Sequence, residues 1–212
     1  MSKTIAIIDP PYGIDVVNNN GKIGASNLAQ TGTYSKVIGD NTTETAKKMY
    51  DILTSLGIDK LVIWGGNYFT DFLPPSPCWV VWDKRGDMNG NNFADCEMAW
   101  TSFDTPARIY KQVWSGMIKE GESEKRVHPT QKPIKILADI IKEYTDEGDI
   151  VIDLTGGSGS TLIACEQTNR TCYMMELDPK YCDVIRKRYS EFIGKESEWQ
   201  EITPKISGEN NA

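Results

Sequence analysis

The chain has a single histidine, five cysteines and no long hydrophobic run. Spanning a bilayer takes about 18–20 consecutive apolar residues, and the N-terminus MSKTIAII lacks the length of a signal peptide. The odd number of cysteines and the absence of a C-x-x-C pair argue against a disulfide framework or a zinc site. We therefore expect a cytoplasmic protein without a metal, in a bacterial cell or a phage-infected host.

The chain also lacks an excess of positive charge, since its formal net charge is −7. The total charge alone argues against a polyanionic partner, but the distribution of the charges along the chain weakens that objection. Residues 84–135 are the net-positive part, with nine Lys or Arg against seven Asp or Glu. A local basic face is what a nucleic-acid-binding protein needs, whatever its total charge. The candidate phosphate contacts, each equally compatible with ordinary surface, are Lys84, Arg85, Arg108, Lys111, Lys125 and Arg126.

Short apolar runs alternate with segments of helical periodicity along the 212 residues. The runs IAII, KLVIW, WVVWDK, FADCEMAWTS, IVID and TCYMMELD predict strands. Helices are predicted after a cap at Asn41 or Thr42, after HPTQKP, and from Pro179 to Phe192. Residues 14–41 read as a long loop, 105–126 as irregular and 200–212 as a loose tail. This alternation predicts one α/β domain, a doubly wound and mainly parallel sheet.

The N-terminal stretch IAIIDPPYG places a carboxylate at the end of a buried strand. Pro10 and Pro11 cannot continue a β-ladder, because proline has no amide donor and a fixed φ. Asp9 therefore lies at the carboxyl end of a core strand, where open α/β sheets bind their ligands.

A second site is predicted by the stretch DIVIDLTGGSGSTLIACEQ, which reads as a strand, a glycine-rich turn and a helix start. Gly156, Gly157 and Gly159 permit a sharp turn and a close approach to a ligand. Glu176 follows the next strand about twenty residues later, where an acidic side chain binds ribose hydroxyls. Together they indicate a nucleoside-containing cofactor, either a dinucleotide or S-adenosylmethionine.

The DPPY stretch fits the methylation of an exocyclic amine. The lone pair of that nitrogen is delocalised into the ring, so two acceptors must draw the nitrogen toward tetrahedral geometry. Asp9 can supply one acceptor and the Pro10 carbonyl the other, while Tyr12 can stack on the base. Attack on a sulfonium methyl then needs positioning and charge placement, without a metal. A base inside a duplex must be flipped out to reach such a pocket.

Four motifs in this order resemble those of the DNA amino-methyltransferases. They are DPPYG at 9–13, HPTQKP at 128–133, DLTGGSGST at 153–161 and ELD at 176–178. The catalytic motif precedes the cofactor motif, as in the circularly permuted β group, and the chain is similar to small phage and prokaryotic adenine-specific members. The resemblance implies methyl transfer from S-adenosylmethionine to adenine N6 in double-stranded DNA, a homodimer, and a role in restriction–modification or phage DNA marking.

The resemblance also implies residue roles. Asp9, Pro10, Pro11 and Tyr12 would serve the target base. The cofactor would be held by Asp9, His128, Thr130, Lys132, Asp153, Thr155, Gly156, Gly157, Ser158, Gly159, Glu176 and Asp178, with Thr130 and Lys132 at its methionine end. Residues 1–199 would form one methyltransferase domain, with a short target-recognition insert at about 85–127.

The cofactor motif departs from the family pattern at Leu154 and Thr155, which stand where the family usually has Pro and Phe. This departure puts the cofactor affinity in question and is the one hint of an inactive relative. Several alternatives stay open beside adenine methylation in DNA. They are cytosine-N4 methylation, RNA adenine methylation, a nicotinamide-dependent oxidoreductase, and an inactive nucleic-acid-binding relative.

Overall fold

The computed structural model describes residues 3–17, 36–87, 94–115, 118–119 and 127–200. The strands are β1 (Thr4–Ile8), β2 (Lys60–Trp64), β3 (Trp79–Asp83), β4 (Cys96–Thr101), β5 (Arg108–Lys111), β6 (Trp114–Ser115), β7 (Ile118–Lys119), β8 (Ile150–Asp153) and β9 (Thr171–Met174). The helices are α1 (Glu44–Ser55), α2 (Ile134–Tyr144), α3 (Ser160–Gln167) and α4 (Pro179–Phe192), and a 3-10 turn spans Gly66–Tyr68.

Seven strands form one sheet in the order β5-β3-β4-β2-β1-β8-β9. Strand β1 lies between β2 and β8 and is parallel to both. Strand β4 is antiparallel to its neighbours β2 and β3, and the remaining pairs, β3–β5 and β8–β9, are parallel. The prediction of a mainly parallel α/β sheet is confirmed.

Helices cover both faces of the sheet, because successive residues of its central strands are apolar and point to opposite faces. Ile5 and Ile7 of β1 belong to the core beneath α2 and α3. Ala6 and Ile8 belong to the opposite core, which includes Ala46 and Leu53 of α1. A strand buried on both faces explains the uninterrupted run IAII.

The region predicted to be irregular, residues 105–126, contains regular structure. Strand β5 extends the sheet beside β3, and β6 and β7 form a small antiparallel pair. Strand β5 has the sequence RIYK and is largely exposed, so it lacks the apolar run that predicts a strand. Strands β4 and β5 lie within the span of the insert predicted at about 85–127 and belong to the main sheet, and the target-recognition role of that span stays a prediction.

Other predicted boundaries are close to those observed. Helix α4 has the predicted limits, Pro179 and Phe192. The residue before α1 is Thr43 rather than Asn41 or Thr42, although the Thr42 hydroxyl still accepts a hydrogen bond from the Glu44 amide at 3.2 Å. Most of the predicted loop and nearly all of the predicted tail lie outside the described residues.

Among the described helices, none combines the length and the apolar character needed to cross a membrane.

Candidate active site

The candidate site lies at one edge of the sheet, where the carboxyl ends of β1, β2 and β8 meet. Asp9 follows β1, Gly65 follows β2, and Asp153 ends β8. Strand β4 runs in the opposite direction, so its beginning, with Glu97, lies at the same edge. The parallel topology thus brings together residues that are far apart in the chain.

Asp9 makes three hydrogen bonds that fix its backbone and both carboxylate oxygens. Its amide donates to Thr155 Oγ1 at 2.8 Å. The Tyr12 hydroxyl donates to Oδ1 at 2.6 Å, and Lys132 Nζ donates to Oδ2 at 2.6 Å. Burial raises the pKa of Asp9, and the positive charge of Lys132 offsets part of that rise.

Tyr12 lies over Gly65, with its ring stacked on Tyr68 at a centroid distance of 5.1 Å. A Cβ on Gly65 would come within 2.2 Å of the Tyr12 ring, and Gly65 has φ +71°. Glycine is therefore required here for both space and backbone conformation. Burial and the neighbouring Asp9 raise the pKa of Tyr12 well above its ordinary value, so its hydroxyl stays a donor.

Asp40 anchors the backbone that follows the DPPY stretch. Its carboxylate accepts hydrogen bonds from the amides of Gly13 at 3.0 Å and Val16 at 2.7 Å. Asp40 is 4% exposed. Sequence reasoning missed this residue, because its partners lie some 25 positions earlier and no local motif marks it.

Lys132 joins two carboxylates within the site. Its Nζ lies 2.6 Å from Asp9 Oδ2 and 3.0 Å from Glu97 Oε2, and Lys84 Nζ lies 2.7 Å from Glu97 Oε1. Burial raises the pKa of Glu97, but Lys132 and Lys84 outweigh it and lower that pKa to about 2. Burial lowers the pKa of Lys132, but Asp9 and Glu97 outweigh it and raise that pKa. Glu97 and Lys132 are therefore both charged at neutral pH.

The glycine turn lies beside this cluster and connects β8 to α3. Gly157 and Gly159 adopt φ values of +53° and +80°. The Gly157 amide donates to Glu176 Oε2 at 2.6 Å, and Arg188 Nη1 donates to the Ser158 carbonyl at 2.6 Å. A Cβ on Gly156 would come within 2.8 Å of Met174, so this glycine permits close packing against β9.

Asp153 and Thr155 link the glycine turn to Asp9. The amide and the hydroxyl of Thr155 both donate to Asp153 Oδ1, at 2.8 and 3.0 Å, while Thr155 Oγ1 accepts from the Asp9 amide. Burial raises the pKa of Asp153 to about 6, despite the hydrogen bonds that it accepts. The predicted target-base site and the predicted cofactor site are thus one continuous hydrogen-bonded site.

The remaining predicted cofactor residues surround the turn. The His128 ring packs edge-on against Tyr181 at 4.3 Å and lies 3.6 Å from the position of a Cβ on Gly157. Thr130 bonds to His128 Nδ1 at 3.2 Å through its hydroxyl. Asp178 caps α4 by accepting from the Lys180 amide at 2.9 Å. Cofactor contacts by these residues stay predictions.

Several of the predicted DNA-contacting cations are engaged within the protein. Arg85 is 6% exposed and pairs with Asp95 at 2.9 Å, and Lys84 pairs with Glu97. Arg108 is half-exposed and lies 3.3 Å from Glu143, whereas Lys111 is exposed. Lys125 and Arg126 lie outside the described residues. In the described part of the chain, no group of three His, Cys, Asp or Glu side chains could hold a metal ion.

Comparison with known proteins connects this geometry to a family. The family model described as DNA methylase matches residues 79–187. Type II methyltransferase M2.DpnII of Streptococcus pneumoniae is 29% identical over 110 residues, covering 51% of this chain and 40% of the relative. Type II methyltransferase M2.MboI of Moraxella bovis is 26% identical over 144 residues, covering 66% of this chain and 52% of the relative. The chain thus aligns with about half, or less, of these relatives' length.

Two solved structures share the fold. The M1.HpyAVI–SAM complex has a TM-score of 0.52 at 20% identity and covers 89% of this chain and 88% of its own. The PvuII DNA methyltransferase, described as cytosine-N4-specific, has a TM-score of 0.55 at 13% identity. The match covers 94% of this chain and 87% of that enzyme. At such identities the likeness concerns the fold alone.

Proposed function

Because the chain belongs to the DNA methylase family, we propose that it transfers a methyl group from S-adenosylmethionine to N6 of a flipped-out adenine in double-stranded DNA. The observation that carries the proposal is the hydrogen bond of 2.8 Å from the Asp9 amide to Thr155 Oγ1. It joins the acceptor for the target amine to the turn that would hold the cofactor. Substrate and methyl donor would therefore meet within one rigid site.

The donor groups around the glycine turn fit S-adenosylmethionine. A carboxylate offers about four lone-pair positions. Two positions of Glu176 accept the amides of Gly157 and Asp178, at 2.6 and 2.8 Å, which leaves two for a ribose diol. The bound cofactor would supply a methyl group on an electrophilic sulfonium sulfur. Thr130, in the segment at 128–133, would lie at its methionine end.

Asp9 and Pro10 would activate the target amine. One N–H would donate to the Asp9 carboxylate and the other to the Pro10 carbonyl, which would hold the nitrogen in the geometry that frees its lone pair. Tyr12, whose ring lies over Gly65, would stack on the extruded base from that place. The amine needs no prior deprotonation, because its proton can leave after the new C–N bond has formed.

The proposal is tested by incubating the protein with S-adenosylmethionine and duplex DNA, digesting the product to nucleosides, and identifying the modified base by mass. We expect N6-methyladenine. We expect Asp9→Ala to abolish methyl transfer and to leave cofactor-induced thermal stabilisation largely intact. Asp51→Ala, an exposed carboxylate on α1, is the matched control and should retain activity. Turnover by Asp9→Ala would contradict the assigned role.

Cytosine-N4 methylation is the second candidate, because the family and the shared fold include an enzyme described as cytosine-N4-specific. The aspartate at position 9 favours adenine, since a serine at this place is commoner in the cytosine enzymes that the motif resembles. N4-methylcytosine in the digest would establish the second candidate. Methylation of RNA in preference to duplex DNA would contradict the proposed substrate.

The remaining proposals concern how DNA is held. Residues between Lys84 and Val127 that lie outside the main sheet would contact the target, and their small number predicts a short or relaxed recognition sequence. A homodimer would let a small acidic protomer cover enough duplex. Sequencing the methylated positions in random DNA tests the first, and light scattering with and without duplex tests the second.

A further inference from the structure

We propose that Lys132 is a positioning residue that holds the Asp9 carboxylate ionised and oriented toward the target amine, and that Glu97 holds Lys132 in place; this inference rests on the proposed role of Asp9. The resemblance had assigned Lys132 to the methionine end of the cofactor. In the structure its ammonium group lies 2.6 Å from Asp9 Oδ2 and 3.0 Å from Glu97 Oε2.

Lys132 lies behind Asp9 as seen from solvent. Its side chain is 6% exposed, against 18% for Asp9 and 26% for Glu97. The Lys132 ammonium also lies 5.1 Å from the ring centroid of the buried Trp64. A group in this position supports the carboxylate from the protein side and leaves the solvent side to a ligand.

The two oxygens of Asp9 have different partners, which gives them different roles. Oδ2 bonds to the buried Lys132, and Oδ1 accepts from the Tyr12 hydroxyl at 2.6 Å. An incoming amine can replace the hydroxyl as the donor to Oδ1, and the oxygen stays satisfied throughout. The bond between Lys132 and Oδ2 would persist and keep the carboxylate plane fixed during that exchange.

Lys132 also opposes the effect of burial on Asp9. A protonated carboxyl group would donate a hydrogen bond where the reaction requires an acceptor. Burial favours the protonated form, and the ammonium favours the ionised form. Glu97 acts in the opposite sense on Asp9 by its negative charge, while it holds Lys132 by a second ion pair. The charged or titratable groups around Asp9 are Tyr12, Lys84, Glu97, Lys132 and Asp153.

This arrangement predicts shifts of opposite sign in two variants. Lys132→Met removes the opposing charge, so the pKa of Asp9 should rise. Glu97→Gln removes a negative charge near Asp9 and leaves Asp9 as the one carboxylate paired with Lys132, so the pKa of Asp9 should fall. Lys135→Met is the matched control, since Lys135 is exposed and pairs with Asp139 on α2. This variant should leave the pKa of Asp9 unchanged.

The first measurement follows the Asp9 carboxyl carbon by ¹³C NMR across pH, with Asp9→Asn used to assign the signal. The second is the pH profile of kcat. For Lys132→Met we expect the acid limb to move to higher pH, with about a tenfold loss of rate below the limb for each unit moved. The rate should recover at alkaline pH, and S-adenosylmethionine should bind within about twofold of the parent protein.

Lys132→Met leaves two half-buried carboxylates without the ammonium group between them, so it can fail to fold. In that case Glu97→Gln combined with Lys132→Met removes both charges, and the pKa of Asp9 should still rise above that of the parent protein. Shifts of the same sign in the two single variants would overturn the inference. A rate loss independent of pH, or a large loss of cofactor affinity with no change in the Asp9 titration, would do so too.

The NMR titration separates this inference from the proposed function. If the protein transfers no methyl group but Asp9 titrates as expected, the proposed function fails and the positioning roles stand. If methyl transfer is present and the Asp9 titration is unmoved by both variants, only the positioning roles fail.

Discussion

Replacing Gly65 by alanine tests whether the position of Tyr12 matters for catalysis. The new Cβ would come within 2.2 Å of Cε1 and 2.5 Å of Cδ1 of Tyr12. Ordinary van der Waals contact begins at 3.4 Å, so the ring must move by about 1 Å. Such a movement breaks the hydrogen bond of 2.6 Å from the Tyr12 hydroxyl to Asp9.

The alanine also carries a backbone cost, because Gly65 has φ +71°. A left-handed conformation costs about 1–2 kcal/mol for a residue with a Cβ. In a domain of this size that cost lowers Tm by about 2–8 °C. The matched control is Gly57→Ala, since Gly57 has φ +74° and no atom within 4 Å of its Cβ position. Gly57→Ala therefore has the same backbone strain without the clash.

Thermal unfolding and methyl transfer should separate the two contributions. We expect both variants to lose Tm, but only Gly65→Ala to lose about a hundredfold in kcat. Its Tyr12 ring would lie about 1 Å from the place where it stacks on the base, and a misplacement of that size is that costly in an active site. If Gly65→Ala transfers methyl groups as fast as Gly57→Ala, the position of the Tyr12 ring is unimportant for catalysis and the reasoning is refuted.

Three further variants probe the site. Thr155→Val leaves the Asp9 amide without its acceptor and should cost about 1–3 kcal/mol in urea unfolding, with Thr155→Ser restoring stability. Arg188→Met removes the charged hydrogen bond to the Ser158 carbonyl and should weaken S-adenosylmethionine binding about tenfold by calorimetry, whereas normal affinity would contradict that role. Because burial raises the pKa of Asp153 to about 6, its ionisation should lower the free energy of unfolding as pH rises from 4 to 6, by about 1.4 kcal/mol per unit. Asp153→Asn should flatten this dependence in urea titrations, and an unchanged slope would assign it to other groups.

Much of the fold could be predicted because its central strands are buried on both faces. The runs IAII, KLVIW and IVID are short, apolar and bounded by turn residues, and all three are strands of the sheet. Strand β5 could not be predicted, because an exposed edge strand carries no apolar signal in its sequence RIYK. Strand β5 forms because it pairs with β3, and a local sequence pattern does not indicate pairing between segments that are distant in the chain.

Some residues of the candidate site could likewise be predicted from the sequence, and others could not. The glycine turn and the DPPY stretch have local sequence signals, so both could be predicted. The role of Glu97 could not, since it depends on the antiparallel placement of β4, which turns the beginning of that strand toward Asp9. Thr155 reads in the sequence as a departure from the family pattern, yet the structure gives its hydroxyl two partners, Asp9 and Asp153. A departure judged by residue type alone conceals such a compensating contact.

The separation of Asp9 from its partners has a consequence for biosynthesis. Lys132 lies 123 positions and Thr155 lies 146 positions along the chain from Asp9. A ribosome therefore completes β1 and β2 long before it delivers β8, and until then one edge of β1 lacks its neighbour. An unpaired hydrophobic edge promotes association between nascent chains. Pairings at such long range also slow the search for the native topology. Expression at low temperature, or with added chaperones, should therefore raise the yield of folded protein.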